Sequence, residues 1–262
     1  MEDWAAIHVK LEDAIRAGRI NPAWAEARKA QWGEQSAIYQ NRVLGEFADS
    51  AENSVIPLSW VEKANERWYE VNGKGEGARS YGCDPARFGE DKSTLAELVG
   101  KVLERINAWT KEDTMQTAGR VAKELGTGDD PCGVDTIGIG AGVYDRLHEL
   151  GYNVIPVNVS EKTLLTDASG QTGFINLRSA IWWMMRERLD PQFDDLTALP
   201  PDDQLIGDLT APQYKYTSRG EIVVESKDDL RLRIGRSTDY ADAWGLAEYA
   251  KLHGSGKMWF FG

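Results

Sequence analysis

A strand, a helix and a second strand follow one another between residues 134 and 159, and this alternation constrains the fold more than any other feature. The apolar run at 134–139 is typical of a buried strand, residues 142–150 have helical periodicity, and 153–159 return to a strand pattern. Two strands joined by a helix are almost always parallel, with a right-handed crossover. The chain is therefore predicted to be an α/β protein built around a parallel strand pair.

Further elements are predicted on both sides of this unit. Those before it are helices at 11–19, 24–32 and 38–47, a helix beginning at Trp60 with Ser59 as its cap, strands at 94–102 and 102–110, and a helix at 113–125. The segment at 94–98 also contains good helix formers, so a helix there is the competing interpretation. Those after it are a helix at 175–189, a hairpin at 214–225 and a last helix near Tyr240.

The stretch from residue 72 to 77 is the clearest candidate for a domain boundary. It carries three glycines at alternate positions and no apolar side chain. We therefore predict a helical N-terminal segment over residues 1–72 and a second domain over residues 73–262.

Composition limits the classes of function. The chain has 262 residues, 42 of them acidic and 30 basic, for a formal net charge of −12. This balance argues against a protein that coats nucleic acid through its overall charge. It does not exclude a nuclease, because bound divalent cations neutralise carboxylates locally.

Cysteine content and hydropathy indicate the compartment. Two cysteines, Cys83 and Cys132, are too few for a disulfide framework, and their spacing does not match a zinc site, so buried reduced thiols are expected. No signal-peptide pattern opens the sequence, and no apolar run approaches the ~20 residues of a membrane span. We expect a soluble, intracellular protein that does not contact a membrane.

Aspartates in three distant segments are the strongest functional signal. Asp84 lies in SYGCDPARFGEDKSTL, Asp135 in CGVDTIGIGAGVYDRL, and Asp239 and Asp242 in GRSTDYADAWGLAEYA. The first two come at the ends of short apolar stretches, and the last pair opens an apolar helix. Carboxylates held at the ends of secondary-structure elements are the oxygen ligands that Mg²⁺ and Mn²⁺ prefer. The pattern suggests a metal-dependent phosphoryl-transfer site.

Each aspartate also has a structural interpretation of its own. Asp84 precedes a proline and resembles a turn-capping residue, while Asp239 and Asp242 could complement the positive end of a helix dipole. Asp135 lies among apolar strand residues, where an unpartnered carboxylate would be costly. The glycines after it are spaced G-x-G-x-G and do not match the G-x-G-x-x-G fingerprint of a dinucleotide-binding loop, so a nicotinamide-dependent enzyme is a remote third possibility.

Basic residues near the predicted hairpin are candidates for DNA contact. Lys215, Lys227 and Arg231 could bind phosphates, although a solvated charged face explains them equally well. Trp182 and Trp183 are expected to pack in the core. No G-x-x-x-x-G-K-[ST] phosphate loop is present, so this chain alone is not expected to hydrolyse ATP.

Several segments, in their order along the chain, carry a family resemblance over residues 78–250. They are GCDPARFGEDKST, KEDTMQTAGRVAKEL, VDTIGIGAGVYDRLHELGYNVIPVNV, FINLRSAIWWMMRERL, LTAPQYKYTSRGEIVVESKDDLRLR and RSTDYADAWGLAEYA. In order and spacing they resemble the C-terminal nuclease domain of the large terminase subunit of tailed bacteriophages. Residues 21–50 and 54–64 look like the segment that follows the ATPase domain in that family.

The resemblance implies a fold, a site and an activity. The fold would be RNase H-like, a mixed five-stranded sheet flanked by helices, with antiparallel strands first and parallel strands afterwards. Asp84, Asp135 and Asp242 match the family's acidic triad, and Asp239 is a possible auxiliary ligand, with the choice between Asp239 and Asp242 left open. Two Mg²⁺ or Mn²⁺ ions bound there would support endonucleolytic cleavage of double-stranded DNA during genome packaging.

The resemblance also implies partners and a place of action. The partners would be double-stranded DNA, a terminase ATPase domain or subunit, the small terminase subunit and the portal. The protein would act in the cytoplasm of the bacterial host, transiently at the procapsid portal. The alternative function is a non-catalytic docking or structural fragment that works only beside a separate ATPase, which the net charge of −12 favours.

Overall fold

In a computed structural model of the chain, the structure describes residues 9–34, 36–46, 53–86, 92–193 and 196–254. The predicted end of the third helix at Phe47 lies outside these residues. A strand, a helix and a strand alternate from residue 132 to 157, as the sequence pattern predicts, but the first strand covers Cys132–Asp135 rather than 134–139.

Short helices form the N-terminal part. They are α1 (Leu11–Arg16), α2 (Pro22–Trp32), α3 (Ala37–Tyr39) with a π-helical turn over Gln40–Leu44, and α4 (Leu58–Glu70). The fourth helix begins at Leu58 after Pro57, so the predicted start at Trp60 with a Ser59 cap is wrong. Proline suits this position because its fixed φ is compatible with helix entry.

A mixed five-stranded sheet forms the centre of the rest. Its strands are β1 (Arg79–Asp84), β2 (Ser93–Val99), β3 (Val102–Trp109), β4 (Cys132–Asp135) and β5 (Val154–Val157), in the order β3-β2-β1-β4-β5. The first three strands pair antiparallel, whereas β4 is parallel to both β1 and β5. The prediction of strands rather than a helix at 94–110 is confirmed.

Helices cover both faces of this sheet. One face packs against α5 (Thr114–Leu125) and α6 (Gly140–Glu149), and the other against α10 (Asp239–His253), which lies across β1, β2 and β4. On that second face, α7 (Leu177–Glu187) packs against α10. Residues of α2, α3 and α4 join the same hydrophobic core as α7 and α10.

The close approach of α10 to the sheet depends on two strand glycines. A Cβ atom on Gly82 would lie 2.0 Å from the carbonyl oxygen of Ala243, and one on Gly133 would lie 2.6 Å from that of Leu246. Neither glycine can gain a side chain unless the helix backbone moves away. Small residues at this contact therefore set the height of α10 above the ends of β1 and β4.

The remaining elements lie beside α7 and α10. They are α8 (Asp203–Thr210), the hairpin β6 (Tyr214–Tyr216) and β7 (Ile222–Val224), and α9 (Lys227–Ile234). Cys83 and Cys132 are buried free thiols, as expected. Over the described part of the chain, no helix has both the length and the apolar character needed to cross a bilayer.

Candidate metal and phosphodiester site

Three aspartates converge at one edge of the sheet. Asp84 ends β1 and Asp135 ends β4, and because these neighbouring strands are parallel, their carboxyl ends lie side by side. Asp242 comes from the first turn of α10, which crosses both strands. All three residues are buried, with exposed fractions of 6–8%.

The ammonium group of Lys227 lies among these carboxylates. Its Nζ atom is 3.0 Å from Oδ2 of Asp84, 3.2 Å from Oδ2 of Asp242 and 3.9 Å from Oδ2 of Asp135. Lys227 is the first residue of α9, and the exposed fraction of its side chain is 34%. The residue that the sequence suggested as a DNA contact is therefore paired with the acidic cluster.

The opposite oxygens of two carboxylates are held by the protein itself. Oδ1 of Asp135 accepts a hydrogen bond from the backbone N–H of Ile137 at 3.0 Å. Oδ1 of Asp242 accepts from Nη1 of Arg178 at 2.9 Å and from Nε1 of Trp182 at 3.1 Å. These contacts orient the two carboxylates so that their Oδ2 atoms face Lys227.

The three aspartates differ in how readily they ionise. Burial raises the pKa of Asp84 to about 7; the charge of Lys227 opposes this shift, while Asp242 and Asp135 add to it. Burial likewise raises the pKa of Asp135. Burial would also raise the pKa of Asp242, but Lys227 and Arg178 together lower it below its ordinary value. Burial and repulsion between neighbouring carboxylates raise a carboxyl pKa, whereas a nearby positive charge lowers it.

The other predicted site residues, Asp239, Lys215 and Arg231, are outside the set of ion pairs that joins Lys227 to the three aspartates. Asp239 makes its hydrogen bonds away from Lys227, accepting from the backbone N–H of Lys92 at 3.2 Å and from the hydroxyl of Ser237. Lys215 is exposed on β6. Arg231 is exposed on α9, one turn after Lys227.

A cavity of about 790 Å³ opens beside the cluster. Its walls come from the β6–β7 hairpin and the beginnings of α7 and α9. The charged residues that line it are Arg178, Lys215, Glu225, Lys227, Asp228 and Asp229. Lys215 and Lys227 thus share one concave surface, which leads to the three aspartates.

Sequence reasoning missed the contribution of α7. Trp182 is in the core as expected, but its indole N–H also donates to Asp242. The available signal was Arg178 itself, a single charged residue in the apolar run FINLRSAIWWMM. A charged residue on the buried face of a helix is rarely tolerated without a partner.

The sheet order, the helix across it and the acidic edge together define an RNase H-like fold. No protein-family model matches the sequence, and no curated protein sequence matches it either.

Solved structures of the nuclease domain of the large terminase subunit gp2 of bacterial virus Sf6 do match. One is 23% identical, covers 74% of this chain and 97% of that chain, and superposes with a TM-score of 0.61. A lysine-to-alanine variant with manganese and β-thujaplicinol has the same identity and coverage with a TM-score of 0.62, and one with calcium has a TM-score of 0.61. At this level of identity the likeness shows a shared fold, which confirms the predicted fold class.

Proposed function

We propose that the chain is a metal-dependent endonuclease that cleaves double-stranded DNA during viral genome packaging. The observation that carries the proposal is the convergence of Asp84, Asp135 and Asp242 at the carboxyl edge of β1 and β4, with one oxygen of each directed at a single cation. The fold shared with the Sf6 domain supports it, as do the manganese and calcium in structures of that domain.

The donor atoms fit Mg²⁺ or Mn²⁺. The site offers carboxylate oxygens only, which hard divalent cations prefer, and it already gathers them around a positive charge. As the side chains stand, no three acidic, histidine or cysteine groups among the described residues are arranged to hold a metal ion. Displacement of the Lys227 ammonium would remove the ion pairs that now engage all three Oδ2 atoms, so we propose that metal binding moves this side chain.

Asp84, Asp135 and Asp242 are the proposed metal ligands. Asp84 ends the central strand of the sheet and would hold metal together with Asp135 and Asp242, while Asp239 remains a candidate auxiliary ligand. When bound, such ions lower the pKa of an attacking water and neutralise charge on the scissile phosphate.

The cavity beside the cluster would receive the DNA backbone. Lys215 and the displaced Lys227 line this cavity and would contact phosphates, and Arg231 would extend the basic surface along α9. The proposed setting is the bacterial cytoplasm, at the procapsid portal, beside a terminase ATPase and the small terminase subunit.

A plasmid-nicking assay tests this function. We expect the wild-type chain to convert supercoiled plasmid to nicked and linear forms in Mn²⁺, and Asp84→Asn to lose that activity while keeping its fold. Asp145→Asn is the matched control, because this exposed acid lies on α6, outside the lining of the cavity and outside the proposed ligand set. Undiminished cleavage by Asp84→Asn contradicts the assignment.

One observation favours the second candidate, a docking fragment without independent nuclease activity. The ion pairs of Lys227 engage all three aspartates and would oppose metal binding. A wild-type chain that leaves plasmid uncut at every Mn²⁺ concentration, while remaining folded, supports this candidate over the nuclease.

A further inference from the structure

Two residues of α7, Arg178 and Trp182, contact Oδ1 of Asp242, whereas Lys227 contacts Oδ2. The inference drawn from these contacts rests on the proposed function. Arg178 is the second residue of α7, and its exposed fraction is only 6%. Burying a guanidinium is expensive unless its surroundings compensate for the lost hydration. Arg178 Nη1 is 2.9 Å from Oδ1 of Asp242, and its Nε donates to the backbone carbonyl of Glu225 at 3.2 Å.

A role in packing alone explains Arg178 poorly. Within the described chain, its Nη2 atom is buried without a hydrogen-bond partner. Buried polar groups kept for stability are normally satisfied. Among the described residues, the one side chain that accepts a hydrogen bond from the Arg178 guanidinium is that of Asp242, a proposed metal ligand, which suggests a role at the site.

Trp182 reinforces the same contact. It follows Arg178 by one helical turn, so both side chains project from one face of α7. Its Nε1 atom lies 3.1 Å from the same Oδ1 atom, and the Arg178 guanidinium lies 5.5 Å from the centroid of its ring. Two donors from one rigid helix therefore hold a single carboxylate oxygen.

These contacts make the two oxygens of Asp242 different. Oδ1 is held by Arg178 and Trp182 on the core side. Oδ2 accepts from Thr238 at 3.1 Å and faces Lys227, the side on which Asp84 and Asp135 also lie. A carboxylate fixed in this way presents one oxygen to the cluster and cannot rotate without breaking the hydrogen bonds from Arg178, Trp182 and Thr238.

We propose that Arg178 and Trp182 are positioning residues that orient Asp242 for metal binding. Neither touches the proposed metal position, and both act through the carboxylate. Outer partners of metal ligands commonly change metal affinity or activity by about 10–100-fold when removed.

The test is a calorimetric titration of the folded chain with Mn²⁺ alone, together with plasmid-cleavage kinetics. For Arg178→Met we expect Mn²⁺ affinity to fall by about tenfold or more and kcat to fall with it, with little change in KM for DNA. Loss of a nearby positive charge would by itself strengthen Mn²⁺ binding, so a fall identifies positioning rather than charge.

Two further variants isolate the effect. Trp182→Phe removes one hydrogen bond to Oδ1 without changing charge, and we expect a smaller fall in the same direction; it also serves if Arg178→Met does not fold. Arg188→Met is the control, because Arg188 follows α7 and pairs with Glu248 of α10 at 3.6 Å, on the part of that helix away from the site. It should lower the melting temperature and leave Mn²⁺ affinity unchanged.

The outcomes separate this inference from the proposed function. Wild-type affinity and kcat in folded Arg178→Met or Trp182→Phe overturn the positioning role while leaving the nuclease assignment intact. An equal loss of affinity in Arg188→Met also overturns it, because general loosening of α7 would then be the cause. A wild-type chain that binds no Mn²⁺ and cuts no DNA contradicts both.

Discussion

Lys227 Nζ lies 3.0 Å from Oδ2 of Asp84, so a residue suited to contacting DNA is paired with a residue suited to binding metal. The pairing links the proposed metal site to the proposed DNA contact. On the proposed function, a cation entering the cluster would displace the ammonium, which would then be available to a phosphate in the same cavity.

Removal of this ammonium should strengthen metal binding. We expect Lys227→Met to bind Mn²⁺ at least about tenfold more tightly, equivalent to about 1.4 kcal/mol of removed competition. The metal-free variant should lose about 1–2 kcal/mol of stability, a modest amount for a buried pair because the lysine is one-third exposed. Calorimetry and thermal melts measure the two effects. Lys215→Met, which changes a lysine of the same cavity away from the aspartates, should show neither; equal or weaker Mn²⁺ binding by Lys227→Met contradicts the competition.

Metal affinity should depend on pH through Asp84. Its carboxyl must lose a proton to bind metal, and its pKa in the metal-free protein is about 7. One such group makes the apparent Mn²⁺ affinity about tenfold weaker at pH 6 than at pH 8, with protons released on binding. Calorimetry in buffers of different ionisation enthalpy measures both quantities. An affinity that stays constant from pH 6 to 8 contradicts the raised pKa.

The same carboxyl should influence stability in the metal-free protein. Because the pKa of Asp84 is higher in the folded chain than its ordinary value of 3.8, the folded state binds the proton more tightly than the unfolded state. The free energy of unfolding therefore falls as pH rises from about 4 to about 7. Asp84→Asn removes this contribution, so its denaturation midpoint should decline less over that range than that of the wild type. A parallel decline in the two proteins contradicts the expectation.

The contact between α10 and β1 should not tolerate a methyl group. Gly82→Ala places its Cβ 2.0 Å from the carbonyl oxygen of Ala243, so the helix must move and stability should fall by about 1–3 kcal/mol or more. Gly119→Ala is the control: this glycine lies within α5 with open space around it, and alanine there should add about 0.5–1 kcal/mol. Urea denaturation measures the free energy of unfolding of both variants and of the wild type. Equal stability of Gly82→Ala and the wild type contradicts the close packing.

Much of the fold follows from local pattern. The apolar stretch that ends at Asp84 and the apolar run at 134–139 predict strands, although the second strand ends at Asp135. The helix between β4 and β5 predicts their parallel pairing. Small residues around Asp242 predict a helix that approaches a sheet closely, as the contacts of Gly82 show. These strands and helices can be predicted from the sequence because they depend on residues that lie near one another in it.

The site depends on contacts between residues that are far apart in sequence, and no local sequence pattern predicts these contacts. Lys227 is 143 residues from Asp84 and begins a polar helix whose sequence looks like a solvated surface. Arg178 reaches Asp242 across 64 residues, and only its isolation in an apolar helix hinted at a buried partner. The choice between Asp239 and Asp242 likewise depends on which side chain α10 turns toward the cluster.

A crystal of the chain soaked in Mn²⁺ would show whether the three aspartates bind metal, because manganese is located by its anomalous scattering. We expect anomalous density within coordination distance of Oδ2 of Asp84, Asp135 and Asp242, with the Lys227 ammonium moved out of the cluster. Density absent from this position at millimolar Mn²⁺, with Lys227 still paired to Asp84, would contradict the proposed metal site.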